Sequence, residues 1–322
     1  MDGIQQEEAL ANIKFGIDTI TLYSPKYWDQ KDWWAFQDPD CIAPEKFWDK
    51  ALDTVAMTGA SGLRLSFGPA QWRHALKRYG SPERFQDAIH RRALELAGVL
   101  FVEMGRGNMF DPTRRAQVIE EMRQCADFVK AAGGGIIAAG LPPRKTWSED
   151  PPLMVNLDYA KYIADMVNEM GYETLKRGVK LALHPKTHGT FWLKRDIDLF
   201  MLLTDPIYVS FCPDTAHITL GGGDPVRMLD EHRYRVIMND WKDARRALPW
   251  HYTIDKNHLT DIHPHYAFVG EGIVDWKAWV NKLKEIGYTG WSIVELDATD
   301  DPVVQTKQAF KYINDNLKAI YS

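Results

Sequence analysis

The stretch VKLALHPKTHGTFW (179–192) carries two imidazoles four residues apart, His184 and His188, directly after an apolar run. On a helix, residues four apart share one face, and the pair would be a zinc motif of the HExxH kind. Pro185 argues against that, because the residue before a proline is driven out of helical geometry. The run VKLAL is short, apolar and preceded by Gly178, which are the marks of a buried strand. His184 is therefore expected at the carboxyl end of a strand, with His188 in the loop that follows.

Seven further segments read the same way: 15–22, 62–67, 98–103, 134–140, 207–214, 235–240 and 291–297. Amphipathic segments lie between them, among them PEKFWDKALDTVAMTG (44–59), SPERFQDAIHRRALELAG (81–98) and DPTRRAQVIEEMRQCADFVKAAG (111–133). Several open on Asp, Ser or Pro and stop at Gly, as helix caps do. No GxGxxG follows the first strand, no GxxxxGK[ST] occurs, and no change of composition marks a linker. The glycine run 221–223 precedes a helix and reads as a loop hinge, with a backbone cradle for an anion as the alternative. Eight strand–helix units in about 300 residues are the count of a (β/α)8 barrel. The expected fold is α/β, a single TIM-barrel domain over residues 1–322 with long loops at its C-terminal face.

The net charge of −5 and the lack of a dense Lys/Arg block leave no electrostatic footprint for nucleic acid. The three cysteines are scattered, no apolar run reaches about 18 residues, and the N-terminus lacks a signal-peptide pattern. A soluble, cytoplasmic protein without membrane partners is expected. Twelve Trp and thirteen Tyr stand out, many in polar loops. Rings so placed suit the apolar faces of sugars, so Tyr23, Trp72, Trp192, Trp241 and His265 are expected substrate contacts.

In a barrel, chemistry gathers where the strands end. The fifth strand ends in His184, the sixth in Asp214 with His217 three residues on, the seventh in Asp240, Lys242 and Asp243, and the eighth in Glu295 and Asp297. Four consecutive ends carrying ionisable groups would repel and be desolvated unless a cation joined them. His184, Asp214, Asp240 and Glu295 are the candidate metal ligands, a mixed N/O set suited to Mn²⁺, Mg²⁺, Co²⁺ or Zn²⁺. His217 and His188 are candidates for moving a proton. Lys242 is a candidate for polarising a carbonyl, or a salt-bridge partner of Asp243. His184 is either a ligand or the base. His263 and His265 lie in a long loop after the seventh strand that is expected to cover the mouth.

These residues resemble the xylose-isomerase-like superfamily of sugar phosphate isomerases and epimerases, which also includes family-2 abasic endonucleases. CPDTAHITLGGGDP (212–225) looks like its strand-six segment, which implies a metal-binding Asp214 and a substrate-facing His217. VGEGIVDWKAWVNKLKEIGYTGWSIVELD (269–297) looks like its strand-eight module, which implies that Glu295 binds the metal. LALHPKTHGT is similar to the inosose dehydratase branch, where a His stands in place of a Glu. The resemblance implies a metal-dependent enzyme removing a proton α to a carbonyl of a keto-sugar, keto-cyclitol or 3-keto-glycoside. β-Elimination is preferred, as in dehydratases and the α-subunits of C-glycoside deglycosidases, with epimerisation or isomerisation as the alternative. A non-catalytic carbohydrate-binding barrel is a reading from another class, and a homo-oligomer or a small partner subunit is compatible with either. The chain departs from the family pattern twice. Asp240 stands where strand seven usually carries His, and Gly140 ends strand four where the dehydratases place a Glu. Glu103 and Glu149 are the candidates to replace that Glu.

Overall fold

The computed structural model describes residues 13–144, 153–187, 189–249, 252, 254–297 and 299–321. Eight parallel strands run through it: β1 (Ile13–Asp18), β2 (Gly62–Leu65), β3 (Glu95–Phe101), β4 (Ile136–Ala139), β5 (Lys180–Leu183), β6 (Val209–Phe211), β7 (Met238–Trp241) and β8 (Gly290–Val294). Their order is β6-β5-β4-β3-β2-β1-β8-β7. Two parallel bridges, Phe211 to Val236 and Asp214 to Asp240, join β6 to β7 and bring the sheet close to full closure. This is the expected TIM barrel, and its seam lies at two of the predicted ligands.

Side chains on a strand alternate between the two faces, and that alternation sorts the barrel. Ala97, Ala138, Ala182, Cys212, Met238 and Ile293 pack together in the lumen. Two residues beyond Ala182, Cys212, Met238 and Ile293 stand His184, Asp214, Asp240 and Glu295, on the same inward face. Outward residues such as Leu181, Leu183, Phe211, Trp241 and Val294 join the larger core between sheet and helices. Many helices start as their sequences direct, with the side chains of Ser81, Asn156, Asp224, Asp275 and Asp301 accepting from free N–H groups of the first turn.

Two segments differ from their sequence reading. The helix expected over 81–98 stops at His90, the chain turns through Ala93 at φ 57, and Glu95 already begins β3. Here burial on both faces from Leu96 to Phe101, as a strand inside a parallel barrel requires, overrides a helix-prone composition. The first strand ends at Asp18 and not at Leu22, because the Asp18 carboxylate accepts the Ile20 N–H and caps a 3-10 turn. Among the described residues no helix is long and apolar enough to cross a membrane, and Cys41, Cys125 and Cys212 are free thiols.

Candidate metal centre

The His184 N–H donates to the Ala139 carbonyl at 2.9 Å, so His184 continues the ladder of β5 past Leu183. Its side chain faces into the barrel. One ligand atom each of His184, Asp214, Asp240 and Glu295 lies within 4.8 Å of the other three, and all four residues are buried. The His184 Nε2 is 2.6 Å from Asp240 Oδ2 and 3.7 Å from Asp214 Oδ2. Asp214 uses Oδ1 to accept the His217 N–H at 2.7 Å, capping the short helix Thr215–Leu220.

The residues fit a divalent cation. Asp214 Oδ2, on the side of the His184 Nε2, is buried without a hydrogen-bond partner, an expensive state for a polar atom unless something binds there. Among the described residues, Asp18, Asp214, Asp240, Glu295 and Asp297 face the permanent cations Arg64, Lys242 and Lys186, an excess of two negative charges. In the metal-free centre protons take up part of that excess. Burial opposes charge on His184, but Asp240 and Asp214 outweigh it and hold its pKa above the ordinary imidazole value. Burial, reinforced by Asp18 and Asp297, pushes Glu295 up to about 7 against the pull of Lys242 and Arg64. Asp240 is held well below the usual carboxylate range: burial would raise it, but Arg64 and His184 prevail.

Beside the cluster is a cavity of about 250 Å³. Trp33, Phe67, Leu100 and Leu141 form an apolar wall, and Lys186, His217, Glu295 and Asp297 a polar one. The loop after β7 supplies His258, Ile262, His263 and Tyr266, and the His263 ring meets Trp33 edge-on with centroids 5.0 Å apart. That loop thus reaches the β1 loop across the mouth, as its position in the sequence implies. His217 accepts the Thr187 N–H at Nδ1 (3.1 Å); this assigns the proton of the neutral ring to Nε2, 3.9 Å from Asp214 Oδ2.

The other expected site residues fall in different places. Lys242 donates to Glu295 Oε1 at 2.7 Å and Asp297 Oδ2 at 2.6 Å and lies over the Tyr266 ring. These carboxylates outweigh its burial and raise its pKa, and it is not part of the cavity wall. Asp243 points the opposite way, accepting the N–H groups of Ala244, Gly270, Gly272 and Val274 and the Trp276 indole. The salt bridge weighed for Lys242 is therefore with Glu295 and Asp297, because adjacent strand residues face opposite sides.

The substrate contact expected of Tyr23, Trp72, Trp192, Trp241 and His265 is not matched by their positions, since none of the five lines the cavity. Trp241 alternates outward and packs on Phe15 and Trp276. Tyr23 is buried, with its hydroxyl donating to the Phe67 carbonyl. Trp72 packs on Phe128, and the Trp192 indole donates to the His217 carbonyl. His265 rests edge-on against Tyr252. His188 and Glu149 lie outside the described residues. Glu103 pairs with Arg73, Arg106 and Arg114 and is not among the four clustered ligands.

Beside Gly140 runs the Lys186 side chain, whose Cδ lies 3.4 Å from where a Cβ would sit, an ordinary van der Waals contact. Lys186 and Arg64, like Asp18 beside Arg64, were not among the residues expected at the site. Each had a signal: Lys186 is two residues from His184 and so on the same face, and Arg64 interrupts the apolar strand GLRLSF between two leucines.

Residues 52–316 match the family model of the xylose isomerase-like TIM barrel. The chain belongs to this family. Among curated members, the inosose dehydratase of Lactiplantibacillus plantarum is 27% identical over 303 residues, 88% of this chain and 93% of that protein. The inosose dehydratase of Lacticaseibacillus casei is 23% identical, covering 87% of this chain and 93% of the relative. Of solved structures, the IolI protein with a bound zinc atom superposes with a TM-score of 0.70 at 16% identity, covering 96% of this chain and 99% of that one. At such identity the likeness is one of fold.

Proposed function

We propose that the protein is a divalent-metal-dependent enzyme that removes a proton α to a carbonyl of a keto-sugar, keto-cyclitol or 3-keto-glycoside, with β-elimination as the outcome and Mn²⁺ as the ion. The observation that carries this reading is the convergence of four buried ligand residues beside a cavity with polar and apolar walls. Near full-length similarity to inosose dehydratases supports elimination over epimerisation or isomerisation.

An ion held by His184, Asp214, Asp240 and Glu295 supplies Lewis acidity toward a carbonyl and its neighbouring hydroxyl. The remaining work falls to the chain. Lys186 brings a cation to the cavity wall with no ion-pair partner among the described residues, placed to hold the oxygen on which negative charge develops. Burial lowers the pKa of its ammonium. His217, its Nδ1 occupied by the Thr187 amide, presents Nε2 for moving a proton between substrate atoms. The apolar wall of Trp33, Phe67 and Leu141 excludes water and packs against the C–H face of a ring.

Incubating the Mn²⁺-loaded protein with scyllo-inosose or a 3-keto-glucoside in D₂O tests this. An unsaturated or cleaved product, lost with EDTA and regained with Mn²⁺, is the expected result. Recovered substrate that carries deuterium, with no such product, would move the reading to epimerisation. Unchanged, unlabelled substrate together with no metal uptake would remove it.

A further inference from the structure

Arg64 is fully buried and all of its N–H groups are engaged. Nε donates to Asp18 Oδ2 at 2.6 Å, Nη1 to Asp240 Oδ1 at 2.7 Å, and Nη2 to Asp240 Oδ2 at 2.7 Å and Glu295 Oε2 at 2.8 Å. The second Nη1 proton faces the sulfurs of Cys212 and Met238 at 3.9 and 3.8 Å. From β2 the side chain thus crosses the lumen to the ends of β1, β7 and β8. Two of the carboxylates it holds belong to the four-residue cluster.

The four acceptor positions of Asp240 are all in use, two by Arg64, one by the Cys212 thiol at 3.5 Å and one by His184. An ion bound in place of the His184 contact would leave the buried guanidinium on Asp18, Asp240 and Glu295. Ion and guanidinium therefore share Asp240 and Glu295, two cations on the same two anions.

We propose that Arg64 is a built-in counter-ion of the metal centre. It is a positioning residue that holds Asp240 and Glu295 in place with or without an ion, and its own charge weakens the ion's binding. The inference rests on the metal-centre reading above. It predicts a barrel that stays folded when stripped of metal and a site of moderate affinity.

The test compares wild type, Arg64→Lys and Arg64→Gln after EDTA stripping, by Mn²⁺ titration calorimetry and by thermal unfolding with and without Mn²⁺. Arg64→Lys keeps the charge and is expected to bind Mn²⁺ about as wild type does. Arg64→Gln removes it and is expected to bind Mn²⁺ about tenfold tighter or more, with a metal-free form that unfolds at lower temperature and regains most of the loss on Mn²⁺ addition. A merely structural arginine would not raise metal affinity when removed. Arg64→Gln that folds only when Mn²⁺ is supplied supports the proposal. Arg64→Gln that binds Mn²⁺ no tighter than Arg64→Lys, or that fails to fold even with Mn²⁺, overturns it. Absence of Mn²⁺ binding by wild type would remove the metal reading itself, and this inference with it.

Discussion

Arg64 and Asp240 face each other across the barrel lumen in a two-pronged ion pair, with Nη1–Oδ1 and Nη2–Oδ2 both at 2.7 Å. Their strands, β2 and β7, are not neighbours in the sheet, since β1 and β8 lie between them. A buried guanidinium left without its main partner is costly, about 3–5 kcal/mol for such a pair. Asp240→Ala is accordingly expected to lower the unfolding free energy of the metal-free protein by about that amount, read by urea or thermal denaturation.

Asp214 has two separable jobs. Oδ1 caps the helix Thr215–Leu220, and Oδ2 is buried without a partner. Asp214→Asn keeps an acceptor for the His217 N–H but loses the ligand charge. It should fold nearly as well as wild type while Mn²⁺ affinity falls on the order of a hundredfold. Asp214→Ala should lose a further ~1 kcal/mol of stability with the cap. Calorimetric titration beside thermal unfolding separates the two effects.

Metal uptake should depend on pH in a defined direction. Glu295 has a pKa of about 7 in the metal-free centre, and that of His184 is raised above the imidazole value. Both groups must lose a proton to become ligands. Below pH 7 an ion therefore displaces protons and binds more weakly, and affinity rises as pH passes through 7. Titrations in buffers of differing ionisation enthalpy should show proton release on Mn²⁺ binding at pH 6 that diminishes at higher pH.

Lys186 lines the cavity beside Gly140. Lys186→Met should leave Mn²⁺ content unchanged and lower kcat by about 10²–10³ if its ammonium meets the developing oxyanion. Metal analysis and steady-state kinetics on the same preparation check both halves.

Gly272 sits where a Cβ would lie 2.1 Å from Asp243 Oδ1 and 2.4 Å from the Ala244 carbonyl oxygen. Gly272→Ala must therefore push Asp243 off the loop N–H groups it holds. A destabilisation of about 1–3 kcal/mol is expected, with faster hydrogen exchange at the amides of Gly270 and Val274.

Much of the centre was legible along the chain because strands alternate. Once the lumen face of a strand is set by one small residue, such as Ala182 or Cys212, the residue two further on must point the same way. His184 and Asp214 follow from that count alone. The same count sends Trp241 outward, against the expectation that an aromatic residue near the site touches substrate. Where the aromatic wall does lie, at Trp33, Phe67 and Tyr266, depends on how the β1, β2 and β7 loops fold over the mouth, and loop courses carry no periodicity to read.

By itself, the sequence determined the alternation of strand and helix, the count of eight, and the acidic and imidazole strand ends, because local periodicity and turn residues encode these. Only the tertiary structure decided which charges meet. Lys242 pairs with Glu295 and Asp297 instead of its neighbour Asp243, Arg64 joins carboxylates from three other strands, and Lys186 runs alongside Gly140. The physical reason is that ion pairing is set by distance through space, and closing the barrel brings together groups 46 to 231 residues apart in the chain.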